Sequence, residues 1–285
     1  MTAGLAVEST GPLATVQDLG RPGLAHLGVG RSGAADRGSF RLANRLVGNA
    51  EDAAGVEVVL GGFSVRALRP LVVALTGAPA RVRVGGRASG MYGPLQLDTD
   101  DVLELASPTS GLRTYLGVRG GVDVAPVLGS RSTDTLAGLG PEPLSAGATL
   151  PVGDARGEAP GVDVAPQPEL PDELVLHIRL GPRDDWFADG EVERMLHAAW
   201  RVSSDTDRVG IRLDGDPLRR RGDDELKSEA MVRGAIQVPR GGQPIVFSAD
   251  HPVTGGYPVI AVVTAADMDR AAQARPGQVV RLRAA

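Results

Sequence analysis

The apolar residues of this chain come in short runs rich in Val and Leu, each cut off by Gly or Pro, a pattern that suits strands far better than helices. Such runs occupy residues 56–60, 63–68, 71–75, 80–84, 102–105, 113–118, 174–180, 245–247, 259–263 and 278–282. With 39 Gly and 21 Pro, turns follow one another closely, so the expected class is mainly β with a few short helices.

Three segments carry helical spacing. Residues 34–47 place Phe40, Ala43, Leu46 and Val47 on one face and stop at Gly48-Asn49. Residues 192–200 place Val192, Met195, Leu196, Ala199 and Trp200 together behind Asp189 as a cap. Residues 265–274 start after Thr264 and end before Pro276-Gly277. At 285 residues the chain is long for one core. The stretch 141–171, rich in Pro, Gly, Ala and acidic residues, reads as a linker. The division expected is an N-terminal β-rich lobe over 1–160 with one helix and a C-terminal β-rich lobe over 161–285 with two. The hexapeptide Gly-Val-Asp-Val-Ala-Pro occurs at 121–126 and 161–166, but no flanking similarity makes it a repeat.

Charge and chemistry narrow the function. The formal net charge is −5 and aromatics make up 3%, so neither a basic face nor a stacking platform for nucleic acid is indicated. The absence of cysteine excludes disulfides, thiolate metal sites and cysteine nucleophiles. His26, His177, His197 and His251 are scattered without ligand spacing, so no protein-only metal site is expected. The first residues lack a basic region followed by a long apolar one, and no stretch of eighteen apolar residues occurs; a cytoplasmic location without membrane contact is expected.

Gly28-Val29-Gly30-Arg31-Ser32-Gly33 matches a dinucleotide fingerprint but lacks the leading strand and the following βα series, so a Rossmann reading fails. As a glycine-rich turn before a helix it retains the capacity to hold an anion on free N–H groups. No P-loop occurs. Thr15-Val16-Gln17-Asp18-Leu19-Gly20-Arg21 gathers an amide, a carboxylate and a guanidinium at a turn, where Asp18 pairing with Arg21 is the plain structural reading. Ser32 and Asp36 equally suit the cap and first-turn carboxylate of a helix. Residues 181–187 read as a strand exit with aromatics for a second core, and 206–210 as a turn.

The densest cluster spans residues 227–258. It opens with Lys227, the only lysine among 30 basic residues, and a retained ammonium offers a tunable point charge that a guanidinium does not. Around it stand Glu229, Gln237, Gln243 and Asp250, then Thr254-Gly255-Gly256-Tyr257-Pro258, whose glycines allow a ligand close to the backbone. A leftover surface lysine and an ordinary Gly-Gly-Tyr-Pro turn are the structural alternatives.

Together these segments resemble the 5-oxoprolinase C-subunit family, also described as allophanate hydrolase subunit 2 or biotin-dependent carboxyltransferase-like. The likeness runs through Thr15-Val16-Gln17-Asp18 with Gly20-Arg21, Ser32-Gly33-Ala34 with Asp36, Ala43-Asn44 with residues 46–49, Tyr115-Leu116 with 118–121, residues 127–134, Gly181-Pro182-Arg183 and the block 227–258. Ala35, Ala230 and Val253 depart from residues common in the family.

The resemblance implies two β-barrel-like lobes of cyclophilin-like architecture and a separate B subunit of similar type. B and C together would use ATP with Mg²⁺ to activate the lactam of 5-oxoproline, and an A subunit would complete ring opening to glutamate. Phosphoryl transfer asks for placed cations in a dry, oriented cleft. By residue type, Lys227 and Arg21 would neutralise phosphate or a substrate carboxylate, and Asp36 or Asp250 would hold Mg²⁺ or orient the lactam N–H. Gln17, Gln237 and Gln243 would bond the amide, with Ser32, Glu229, Thr254, Gly255, Gly256 and Tyr257 completing the substrate site. Two alternatives stay open. One is the carboxyltransferase component of a biotin-dependent urea or amide carboxylase, its biotin on another polypeptide because no Met-Lys acceptor motif occurs here. The other is a regulatory binding protein that antagonises a kinase inhibitor.

Overall fold

The computed structural model of the chain describes residues 3–155, 157–158, 161–167, 169–222, 224 and 226–285. It divides into two compact units, one of Met1–Arg21, Asp36–Asp134 and Gly138–Leu170, the other of Pro22–Ala35, Thr135–Ala137 and Pro171–Ala285. The mainly β class with a few short helices holds in both.

The first unit contains β1 (Ala3–Thr10), β2 (Leu13–Gln17), β3 (Gly55–Val59), β4 (Phe63–Ala67), β5 (Leu71–Gly77), β6 (Val82–Val84), β7 (Arg87–Ser89), β8 (Pro94–Leu97), β9 (Val102–Leu105), β10 (Arg113–Val118) and β11 (Thr149–Pro151). They form a six-stranded sheet, β11-β1-β4-β9-β6-β7, and a five-stranded sheet, β2-β3-β10-β5-β8. Alternate residues of each strand point to one face. Val7, Val65 and Leu103 from the first sheet meet Val16, Val56, Val73 and Leu116 from the second in one apolar cluster. Each such side chain, fully buried, stabilises by about 1.5–3 kcal/mol.

The opposite face of the five-stranded sheet lies against helix α1 (Arg37–Leu46). Phe40, Ala43 and Leu46 are its buried apolar residues. A Cβ at Gly117 on β10 would come 2.8 Å from the Ala43 carbonyl oxygen, so the approach of helix to sheet needs glycine there.

The second unit holds β12 (Glu173–Leu180), β13 (Trp200–Val202), β14 (Gly210–Asp214), β15 (Glu229–Ala230), β16 (Ala235–Gln237), β17 (Ile245–Phe247), β18 (Thr254–Gly255), β19 (Val259–Val263) and β20 (Val279–Ala284). Seven of these close a barrel in the order β12-β19-β16-β17-β14-β13-β20, sealed by parallel pairing of β20 with β12. Leu176, Trp200, Ile236, Val246, Ile260 and Leu282 fill it. β15 and β18 pair separately as a two-stranded ribbon. Helices α2 (Glu191–His197) and α3 (Met268–Ala271) complete the unit. Among the described residues no helix is long and apolar enough to cross a membrane.

All three helices are shorter than their periodicity predicts. The first begins at Arg37, because Asp36 takes the cap by accepting from the Ser39 N–H; Ser32 is not part of it. The second follows Gly190 rather than Asp189 and ends at His197, since Ala198 turns extended and Trp200 becomes a barrel residue. The third keeps one turn only, Met268–Ala271. The stretch read as a linker supplies β11, which pairs with β1, and its Ala165 N–H bonds to the Tyr92 carbonyl.

Candidate active site

In the first unit, residues 15–21 and 127–134, far apart in sequence, dock as one structure. Asp18 Oδ1 accepts from the Gly20 N–H at 2.7 Å, Ser130 Oγ at 2.6 Å and Ser132 Oγ at 2.5 Å, and Oδ2 accepts from the Arg131 N–H at 2.6 Å. Asp18 therefore clamps this loop and does not pair with Arg21. The Arg21 guanidinium is buried; it donates to the Ser132 carbonyl at 2.5 Å and has Asp134 as its charge partner at 3.8 Å. Among the described residues its Nε and Nη1 have no hydrogen-bond partner. Gln17 donates to Thr15 Oγ1 and to the Thr133 carbonyl, both at 3.0 Å, while its buried Oε1 has no hydrogen-bond partner among the described residues. Two candidate residues thus stand with unfilled hydrogen-bonding capacity around one pair of adjacent residues, Ser132 and Thr133.

Asp36 caps α1, and its own N–H donates to Tyr115 Oη at 2.7 Å. Tyr115 donates in turn to Glu57 Oε2 at 2.8 Å, and Arg113 lies 3.4 Å from Glu57. Burial, then the charges of Glu57 and Asp36, push the Tyr115 hydroxyl well above its ordinary value, so it stays protonated and donating. Strand register aligns Thr15, Glu57, Tyr115 and Thr76 in one row across β2, β3, β10 and β5. The sequence reading missed Glu57 and Arg113, although a carboxylate inside Val56-Glu57-Val58-Val59 signals a strand with one polar, buried face.

The second unit separates its candidates between the two ends of the barrel. At the end where β17 finishes, Asp250 is buried and accepts five hydrogen bonds. They come from Ser32 Oγ at 2.7 Å, Arg208 Nη2 and Nε at 2.9 Å each, and the Thr135 N–H and Oγ1 at 2.9 and 2.8 Å. Burial would raise its carboxyl, but the Arg208 charge and these donors hold it below the usual range. Arg208 also donates to the Gly33 carbonyl at 2.8 Å. The glycine-rich segment therefore does meet an anion, the chain's own Asp250, and it does so through the Ser32 hydroxyl. Both Asp250 oxygens are filled by intramolecular donors, which leaves the carboxylate a tie between residues 32–33, 135 and 208. Arg208, read in the sequence as part of a turn, is the partner that reading lacked.

Gln237 lies at the opposite end, because it pairs with Ile245 where β17 begins and with Val259 where β19 begins. Its Nε2 donates to the Tyr257 carbonyl at 3.0 Å, and a Cβ on Gly255 would come 2.6 Å from that nitrogen. β12 ends at this same mouth, where the Gly181 N–H bonds to the Ile260 carbonyl and leads to Arg183. Arg183 grips Glu229 with two donors, Nη2 and Nε, and this bonding holds the Glu229 carboxyl below its ordinary value. Thr254 and Gly255 pair with Ala230 and Glu229 across the small ribbon. Gln243 donates to the Gly215 carbonyl at 3.0 Å and leaves Oε1 buried with no hydrogen-bond partner among the described residues. Lys227 is exposed, with no hydrogen bond or ion pair to any described residue. Beside it, Arg220, Asp224, Leu226, Arg240, Gly256 and Tyr257 line a cleft of about 480 Å³. Among the described residues no cluster of His, Asp and Glu is arranged to hold a metal ion.

Comparison with known proteins agrees with this architecture. Residues 27–284 match the family model of the carboxyltransferase domain, subdomain A and B. The chain is 37% identical to the C subunit of 5-oxoprolinase from Escherichia coli (strain K12), over 96% of this chain and 89% of that protein. It is 32% identical to urea amidolyase of Saccharomyces cerevisiae, over 97% of this chain but 16% of that protein. The crystal structure of TTHA0988 superposes with a TM-score of 0.89 at 35% identity, covering 99% of this chain, which spans 56% of that one. The two-lobed, cyclophilin-like fold implied by the resemblance is thereby borne out.

Proposed function

The chain belongs to the family of carboxyltransferase domains comprising subdomains A and B, and on that footing we propose that it is the C subunit of an ATP-dependent 5-oxoprolinase. The observation that carries this reading is the 37% identity to a 5-oxoprolinase C subunit over nearly the whole of both chains. The urea amidolyase likeness supports the carboxyltransferase alternative less well, because there the chain corresponds to 16% of a much larger protein.

The barrel mouth with Gln237 suits a small cyclic amide. Glu229, kept ionised by Arg183, accepts the ring N–H. Gln237 and Gln243 bond the amide, and Gly255 and Gly256 let the ring lie against the backbone. Lys227, exposed two residues before Glu229, meets the negative charge that substrate carboxylate or phosphate brings. ATP, when bound, supplies the phosphoryl group that turns the amide oxygen into a leaving group. Arg220 and Arg240 in the cleft are a suitable donor set for phosphate, whereas the lack of a ligand cluster among the described residues means Mg²⁺ would arrive with the nucleotide or be held by a partner. Arg21 and Gln17, with their unfilled donors and acceptor, are a second place for a carboxylate or amide.

The B subunit, and an A subunit that completes hydrolysis, are the partners required, with the cytoplasm as the location. The test is ATP hydrolysis dependent on 5-oxoproline, measured on this chain reconstituted with its B and A partners. Lys227→Met is expected to lower turnover at least tenfold. Wild-type turnover in that variant would remove the role given to Lys227, and an inactive wild-type complex would sink the functional reading.

A further inference from the structure

The cleft beside Tyr257 is walled by two arginines, Arg220 and Arg240, and the first of them is held against an aromatic ring. The backbone around Arg220 is pinned to the strand exit at Trp186-Phe187 by the Phe187–Arg220 bridge and by the Arg221 N–H donating to the Trp186 carbonyl at 2.9 Å. The Arg220 guanidinium carbon lies over the Trp186 ring, 5.5 Å from its centroid, a cation–π contact that helps hold the side chain at the cleft. Nη2 donates to the Asp224 carbonyl at 2.6 Å, but Nε is buried with no hydrogen-bond partner among the described residues. A buried donor left unfilled is destabilising, so this edge of the fork is preset for an acceptor. Arg240 stands on the same cleft, and Gly256 opens its floor, since a Cβ there would touch nothing nearer than the Leu226 carbonyl oxygen at 3.5 Å. Asp224 also lines the cleft, and two guanidinium charges against its one carboxylate leave the lining net positive.

We propose that Arg220 and Arg240 bind the polyphosphate tail of a nucleotide, with Trp186 as the platform that aims Arg220. The volume of about 480 Å³ accommodates a chain of phosphates. A planar fork bonds phosphate in a bidentate manner that an ammonium cannot copy. This assignment rests on the ATP-dependent reading above and says which side chains of this protein take the phosphates.

Tryptophan fluorescence tests it directly, because the chain has two tryptophans and Trp200 is sealed in the barrel core while Trp186 lies under Arg220. Titrating the full chain with tripolyphosphate, and with ATP and Mg²⁺, should change the emission saturably. The change should be lost in Trp186→Phe. The apparent Kd should rise at least tenfold in Arg220→Met and several-fold in Arg220→Lys, which keeps the charge and loses the fork. Arg87→Met, an exposed arginine of the first unit, should bind as the wild type does. In the reconstituted complex, Arg220→Met and Arg240→Met should raise KM for ATP tenfold or more and leave KM for 5-oxoproline within twofold. Absence of saturable binding by the wild type, or an unaltered KM for ATP in both variants, overturns the assignment. If tripolyphosphate binds as described but the complex shows no ATP hydrolysis dependent on 5-oxoproline, the phosphate site stands and the functional reading falls.

Discussion

A buried ion pair is tolerable while both partners remain, and its loss is costly once one is removed. Arg208 and Asp250 are 2% and 1% exposed, and Asp250 satisfies Ser32 and Thr135 as well. Asp250→Ala leaves Arg208 stranded and is expected to lower stability by about 3–5 kcal/mol, with Ser32→Ala costing about 1 kcal/mol. Denaturant unfolding of the two variants checks this. If Asp250→Ala unfolds at the wild-type midpoint but abolishes turnover, the aspartate is chemical rather than structural. Glu191 offers a pH test of the same physics. Burial would raise its carboxyl, but donors from Arg194 and Arg219 bring it to about 2 from 4.5. A lowered native value stabilises the fold above 4.5, and the benefit fades as pH falls toward 2. The Tm advantage of wild type over Glu191→Gln should therefore be full at about pH 6 and shrink steadily below about 4.5. A pH-independent difference would contradict the role of the ionised carboxylate.

At the level of elements, what the sequence made legible follows from what drives each element. Strands whose burial is nearly continuous announce themselves as apolar runs, and residues 113–118, 245–247 and 259–263 coincide with β10, β17 and β19. β1, with Gly4 and Glu8, and β14, with Arg212, alternate buried and exposed residues and so carry no run to notice. Helix ends depart from the periodicity because caps override it: Asp36 rather than residue 34 starts α1. Asp36→Ala should cost about 1 kcal/mol by thermal or denaturant unfolding, with the effect confined to stability if capping is its whole role. The ribbon of β15 and β18 is too short for any pattern, yet it carries Glu229 and Gly255. Gly255→Val would drive a Cβ to within 2.6 Å of the Gln237 amide nitrogen. A several-fold rise in KM for the amide substrate, with a stability change under about 1 kcal/mol, is expected; an unchanged KM would separate this ribbon from substrate recognition.

Across the whole molecule, the candidate residues were legible as residue types and hidden as partners. Gln237 and Tyr257 lie within one stretch of sequence and meet at one barrel mouth, where the Gln237 amide donates to the Tyr257 carbonyl. Asp250 belongs to the same stretch but sits at the other end of the barrel, because β17 carries the chain across the barrel before Asp250 is reached. Its partners Ser32, Thr135 and Arg208 come from three distant segments, and no periodicity links them. The second unit is consequently incomplete when cut at the obvious place. A fragment of residues 171–285 lacks the donors from Ser32 and Thr135 and the Ala35 that packs on Ala249 and Ala272. It is expected to unfold at lower denaturant concentration than the same unit within the full chain, and supplying residues 22–35 as a peptide should recover part of the difference.

The bond between Ser32 and Asp250 spans 218 positions of the chain. During synthesis at about 5–20 residues per second, the serine waits roughly 10–40 s for its acceptor to leave the ribosome. Through that interval residues 22–35, with Leu27 on their surface, have no finished barrel to join. This early segment therefore reaches its place in the unit only after the last third of the protein has emerged.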